Sequence, residues 1–69
     1  MKNIKLILLR TACGLSQAEL AAQVGVTRQT VSLIEKGDYN PTLRLCCAIA
    51  RALGCTLNDL FWEEPTNEG

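Results

Sequence analysis

Four glycines, Gly14, Gly25, Gly37 and Gly54, each follow an apolar-periodic segment, and Ser16, Thr27, Thr42 and Thr56 each open the next. A glycine accepts the left-handed turn that ends a helix, and a hydroxyl side chain accepts from the free amides that begin one. Repeated through 69 residues, this punctuation limits the chain to a succession of short helices. The spacing predicts five, over 3–13, 17–24, 28–35, 43–53 and 57–61, with no convincing strand. Ser16 with Glu19 has the spacing of a capping box, and Thr56 with Asp59 is a shorter-armed version. Pro41 before Thr42 forbids a continuous helix across 38–42.

The expected core follows from helical spacing. Leu6 and Leu9 belong to the first helix, Leu20 and Val24 to the second, Val31 and Ile34 to the third, and Leu45, Ile49 and Leu53 to the fourth. Leu15, Val26 and Leu60 close the ends. The chain length accommodates one small domain, expected over residues 1–62, followed by a flexible acidic tail over 63–69. Net charge is zero, but all seven Lys and Arg lie within residues 1–58, opposed there only by Glu19, Glu35 and Asp38. Asp59, Glu63, Glu64 and Glu68 crowd the C-terminus, so a mildly basic body carries the acidic end.

Cys13, Cys46, Cys47 and Cys55 show no CxxC spacing, and there is no histidine. Free thiols in a reducing cytoplasm are the simpler expectation than a disulfide framework or a metal site. The opening MKNIKLILLR places lysines before apolar residues as a secretory signal does. Its run Leu6 to Leu9 is stopped by Arg10, and no small-residue cleavage site follows, so neither export nor a membrane span is expected.

Within Gln17 to Glu35, Ala21 falls where two helices would cross and where a larger side chain would push them apart. Gly25 follows after four residues and Val31 after six more, with Leu20, Val24 and Ile34 filling between. This is the pattern of two helices joined by a tight turn that presents the second to DNA. A helical hairpin in an ordinary bundle is the competing reading, and the outer face of the third helix argues against it. With Val31 and Ile34 inward, Thr27, Arg28, Gln29, Thr30 and Ser32 point outward, with no acid before Glu35. A merely solvated helix start favours Asp or Glu.

Arg28 matches guanine O6 and N7 in a bidentate pair, and Gln29 matches adenine N6 and N7. Thr30 and Ser32 fit phosphate or bases. For Leu33, contact with a thymine methyl, a partner-facing position and simple exposure all remain open. Gln17 opens the second helix, whose free amides form a phosphate site. Lys36, Asn40 and Arg44 bracket the next loop, where they fit backbone contacts or plain surface equally.

SQAELAAQVGVTRQTVSLIEKGDYNP resembles the phage-repressor helix-turn-helix family, also called lambda-repressor-like, Cro/repressor or XRE, and in particular its small stand-alone bacterial regulators. The resemblance runs from about Leu9 to Phe61. It implies an all-α, five-helix DNA-binding domain that acts as a homodimer. Recognition-helix contacts would fall on Thr27, Arg28, Gln29 and Ser32, with a phosphate contact on Gln17. It also implies a buried ion pair between Arg10 and Glu35, which fits their places beside Leu9 and Ile34. The cysteines depart from the family pattern: Cys46, Cys47 and Cys55 stand where small or medium apolar residues are usual and are read as packing. Cys13 is expected to be more exposed, with redox sensing as the alternative reading of the thiols.

Ile4, Ile7 and Leu8 exceed what one helix face can bury, and Phe61 and Trp62 add apolar surface at the other terminus. A symmetric dimer interface is expected there, with short extended pairing between residues 2–4 and 61–64; a private core cluster is the alternative. The expected function is sequence-specific DNA binding by a homodimeric transcriptional regulator, a repressor in preference to an activator, on a pseudo-palindromic site in double-stranded DNA. A protein-interaction module such as an antitoxin or adaptor is the rival. No cofactor, metal or small-molecule effector is evident, and the motifs of an enzyme are missing.

Overall fold

The computed structural model describes residues 2–61 and consists there of five helices: α1 Ile4–Ala12, α2 Gln17–Val24, α3 Arg28–Lys36, α4 Leu43–Leu53 and α5 Leu57–Leu60. Each start has its cap. Asn3, Ser16, Thr27, Thr42 and Thr56 accept through their side chains from the amides of Leu6, Glu19, Thr30, Leu45 and Asp59. Both expected capping boxes close, the Glu19 and Asp59 carboxylates returning to the Ser16 and Thr56 amides at 2.8 and 3.0 Å. Hydrogen bonds from Thr56 hold the exposed Asp59 carboxyl below its ordinary titration range. One such cap is worth ~1 kcal/mol.

Leu6, Leu20, Val31, Ile49 and Leu60 are fully buried, so every helix contributes one side chain to a single core. Ala21 is also buried, consistent with a close crossing of α2 and α3. At Gly25 the chain leaves α2 with φ +79°, and the Val26 amide donates to the Ala21 carbonyl at 3.0 Å, which fixes the turn between α2 and α3. Ala50, not among the expected core positions, lies beside Ile49 in the interior; Leu9, Val24 and Leu45 are only half-buried.

The expected extended pairing of the termini is not formed by the described part of either segment. Ile4 already begins α1, Phe61 is in a turn, and the Asn3 amide donates to the Glu35 carbonyl at 2.8 Å. The N-terminal segment is thereby tied to the end of α3. Trp62, the expected domain boundary at residue 62 and the acidic tail over 63–69 lie outside the described residues.

Candidate DNA interface

The site begins in the interior. Glu35 is 4% exposed, and its carboxylate accepts from Arg10 Nε at 2.6 Å and from Arg10 Nη2 at 3.4 Å. Arg10 Nη1 donates to the Leu15 carbonyl at 2.7 Å, so one guanidinium joins α1, the loop before α2 and the end of α3. The ion pair implied by the resemblance is therefore present. Its effect on the surface is equally direct: Glu35 turns inward, and no carboxylate of α3 faces outward.

Gln17, half-buried at the first position of α2, extends this arrangement. Its Nε2 donates to Glu35 Oε1 at 2.8 Å, and its Oε1 accepts from Arg28 Nη1 at 3.2 Å. Arg10, Glu35, Gln17 and Arg28 thus form one continuous set of hydrogen bonds from α1 to the exposed start of α3. The Gln17–Arg28 link has no signature in helical periodicity; only the chemistry of an amide beside a buried carboxylate anticipates it.

Arg28, Gln29 and Leu33 are exposed on α3, and Thr30 and Ser32 are half-exposed. Thr27 is exposed but serves as the α3 cap, its hydroxyl accepting from the Thr30 amide at 3.2 Å and lying 3.1 Å from the Thr30 hydroxyl. Lys36 ends α3, Asn40 lies in the following loop and Arg44 is in the first turn of α4; all three are exposed. The candidate base contacts hence lie on α3 and its cap, while the candidate phosphate contacts run from Gln17 on α2 through Thr30 and Lys36 on α3 to Asn40 and Arg44 beyond it.

The apolar residues expected at an interface divide between two places. Phe61 packs partly against its own core and lines a groove of 320 Å³ with Asn40, Pro41, Leu43, Cys46 and Leu57. Leu8, 62% exposed, lies instead with Lys5, Leu9, Asn58 and Asp59. Ile4 is exposed and Ile7 half-buried. Leu43, 66% exposed, is not among the interface residues expected from the sequence; its position two residues before Leu45, out of phase with the core series Leu45, Ile49 and Leu53, is the signal that marks it.

Cys13 is exposed as expected, and Cys46, Cys47 and Cys55 are intermediate in burial, all as free thiols. Burial pushes the Cys46 and Cys55 thiols up from their ordinary values, with neighbouring Cys47 and Asp59 respectively adding to the shift. A thiol held protonated is a poor redox sensor. Among the described residues no helix is long and apolar enough to cross a membrane, and no group of three potential metal ligands occurs.

A helix-turn-helix presenting an acid-free helix face defines a DNA-binding transcriptional regulator. The helix-turn-helix family pattern matches residues 6–60, and the chain belongs to that family, the XRE-like regulators. It is 51% identical over 67 residues to the uncharacterised HTH-type transcriptional regulator YgzD of Bacillus subtilis, covering 97% of this chain and 100% of that protein. An uncharacterised HTH-type transcriptional regulator of Methanothermobacter thermautotrophicus is 60% identical over 53 residues, covering 75% of this chain and 77% of that one. Among solved structures, the restriction-modification controller protein C.AhdI of Aeromonas hydrophila superposes with a TM-score of 0.80 at 39% identity, covering 86% of this chain and 89% of that one.

Proposed function

We propose that the chain binds a pseudo-palindromic operator as a homodimer in the cytoplasm and represses the promoter that carries it. The observation that carries this reading is the outer face of α3, where Arg28 and Gln29 stand exposed at the helix start while Glu35 is withdrawn into the protein. Arg28, Gln29, Thr27, Ser32 and Leu33 meet base edges in the major groove. Gln17, Thr30, Lys36, Asn40 and Arg44 meet phosphates on either side. Two such helices enter successive major grooves ~34 Å apart. Repression requires only that the bound dimer occupy DNA that polymerase would otherwise use.

A symmetric dimer needs a self-complementary surface. The exposed Leu43 and the groove it lines with Leu57 and Phe61 supply apolar surface on one face. α5 lies between the two places, Leu57 lining the groove and Asn58 and Asp59 bordering the Leu8 patch. The interface we propose centres on α5, with Phe61 and Leu43 on one side and Ile4, Ile7 and Leu8 on the other.

A second reading has one specific observation in its favour. The antitoxin HigA1 of Mycobacterium tuberculosis is 46% identical over 61 residues, covering 88% of this chain but only 40% of that protein. A role confined to binding a partner protein gives the outward Arg28–Gln29 pair no purpose, so the DNA reading is preferred. The test is an electrophoretic mobility shift against the chain's own upstream region at two salt concentrations. A discrete complex that weakens steeply with salt is expected; equal binding to every duplex, or to none, overturns sequence-specific regulation.

A further inference from the structure

We propose that Asp38 is a specificity-determining residue, an acid set among the phosphate contacts so that DNA held in the wrong register is repelled. The proposal rests on the DNA-reading role assigned to α3 above.

Residues 1–58 contain three acids, Glu19, Glu35 and Asp38. Two have structural uses: Glu19 closes the α2 capping box, and Glu35 is buried against Arg10. Asp38 is exposed, and its carboxylate has no hydrogen-bond or ion-pair partner among the described residues. Its place is nonetheless fixed. Gly37 ends α3 with φ +83°, and the Asp38 amide donates to the Leu33 carbonyl at 2.9 Å, so the acid follows directly on the helix end. The negative end of the helix dipole disfavours a carboxylate there. An asparagine would suit the same turn without the charge.

The neighbours of Asp38 give that charge a use. Lys36 lies two residues before it and Asn40 two after, both exposed and both assigned above to phosphates. A DNA strand presents its negative charge as a row of separate phosphates. When Arg28 and Gln29 engage their bases the register is set: Lys36 and Asn40 each take a phosphate, and Asp38 between them falls opposite the gap. Without those base contacts the protein slides along the duplex, and registers that bring a phosphate up to Asp38 set like charges against each other at close range. The repulsion falls on nonspecific complexes more than on the specific one. It therefore widens the difference in affinity that constitutes specificity.

The test is fluorescence anisotropy of the full-length protein, Asp38→Asn and Asp38→Glu across a salt series, on two duplexes of equal length. One carries the sequence that the full-length protein selects from a randomised library, and the other is random. Asp38→Asn should bind the random duplex about threefold to tenfold more tightly at low salt and the selected one by less than about twofold, with both gains fading as salt screens the charges. Asp38→Glu keeps the charge and should keep most of the parent ratio. Thermal unfolding checks the fold: Asp38→Asn, relieved of the charge at the helix end, should melt at no lower temperature than the parent protein. Equal gains on both duplexes overturn the proposal, because they mark a uniform charge effect. Unchanged affinities overturn it as well, as does a loss of affinity for the selected duplex, which would make Asp38 a direct contact. A full-length protein that selects no sequence overturns the DNA reading itself.

Discussion

Arg10 Nε lies 2.6 Å from the Glu35 carboxylate, with the two side chains 14% and 5% exposed. The pair spans 25 positions of sequence and closes the end of α3 onto α1. Each partner holds a further group: Arg10 the Leu15 carbonyl, and Glu35 the Gln17 amide. A pair so placed specifies where α3 sits, and breaking half of it strands a buried charge.

Arg10→Met should accordingly destabilise the protein by ~3–5 kcal/mol, with replacement of both Arg10 and Glu35 by apolar residues costing much less. Urea denaturation followed by circular dichroism checks this. Similar midpoints for the single and double variants would show that the pair contributes packing and no electrostatic constraint.

Helix starts and stops were legible in the sequence because glycine and hydroxyl residues act locally, through backbone geometry and free amides. The turn at Gly25 and the burial of Ala21 and Val31 followed from the same local rules. What was not legible depends on the relative placement of helices. Nothing in the sequence near Gln17 tells that its amide bridges Glu35 and Arg28, because that contact needs α2 and α3 already docked. The division of the apolar ends was not legible for a related reason: Phe61 packs partly against its own core and lines a groove together with Asn40 and Pro41 of the α3–α4 loop, which no periodicity within α5 reveals.

The positive charges around α3 should divide by role. Lys36→Ala should weaken binding to specific and nonspecific duplexes alike and reduce the slope of log affinity against log salt by roughly 0.9, the share of one phosphate contact. Arg28→Ala should instead cost ~1–3 kcal/mol at the specific site and relax the choice of base. Fluorescence anisotropy across a salt series separates the two. A Lys36→Ala slope equal to that of the parent protein would remove Lys36 from the phosphate contacts.

The thiols should differ in reactivity in the order of their surroundings. Cys13 is exposed, whereas burial pushes the Cys46 and Cys55 thiols up and so depletes the thiolate that reacts. The raised Cys46 and Cys55 thiols should gain reactivity only at a pH above the ordinary thiol range, and the exposed Cys13 should be labelled ahead of both. Iodoacetamide labelling of the native protein, located by peptide mass mapping, gives the order. Cys46 labelling first would contradict its role as packing in the α4 groove.

The proposed dimer makes the most exposed prediction. Leu43 stands outside the core and lines an apolar groove, and an isologous contact would bury Leu43 of each copy against Leu57 and Phe61 of the other. A carboxylate there would be buried without a partner in both halves of the interface at once. Leu43→Glu should therefore sediment as a monomer and bind the operator more weakly. Leu8→Glu, on the other side of α5, should weaken association less, and Leu33→Ser on α3 should leave it unchanged. Analytical ultracentrifugation of the three variants beside the parent protein decides: dimers that persist in both Leu43→Glu and Leu8→Glu would move the interface away from α5, and a parent protein that stays monomeric on its operator would end the two-fold reading of the site.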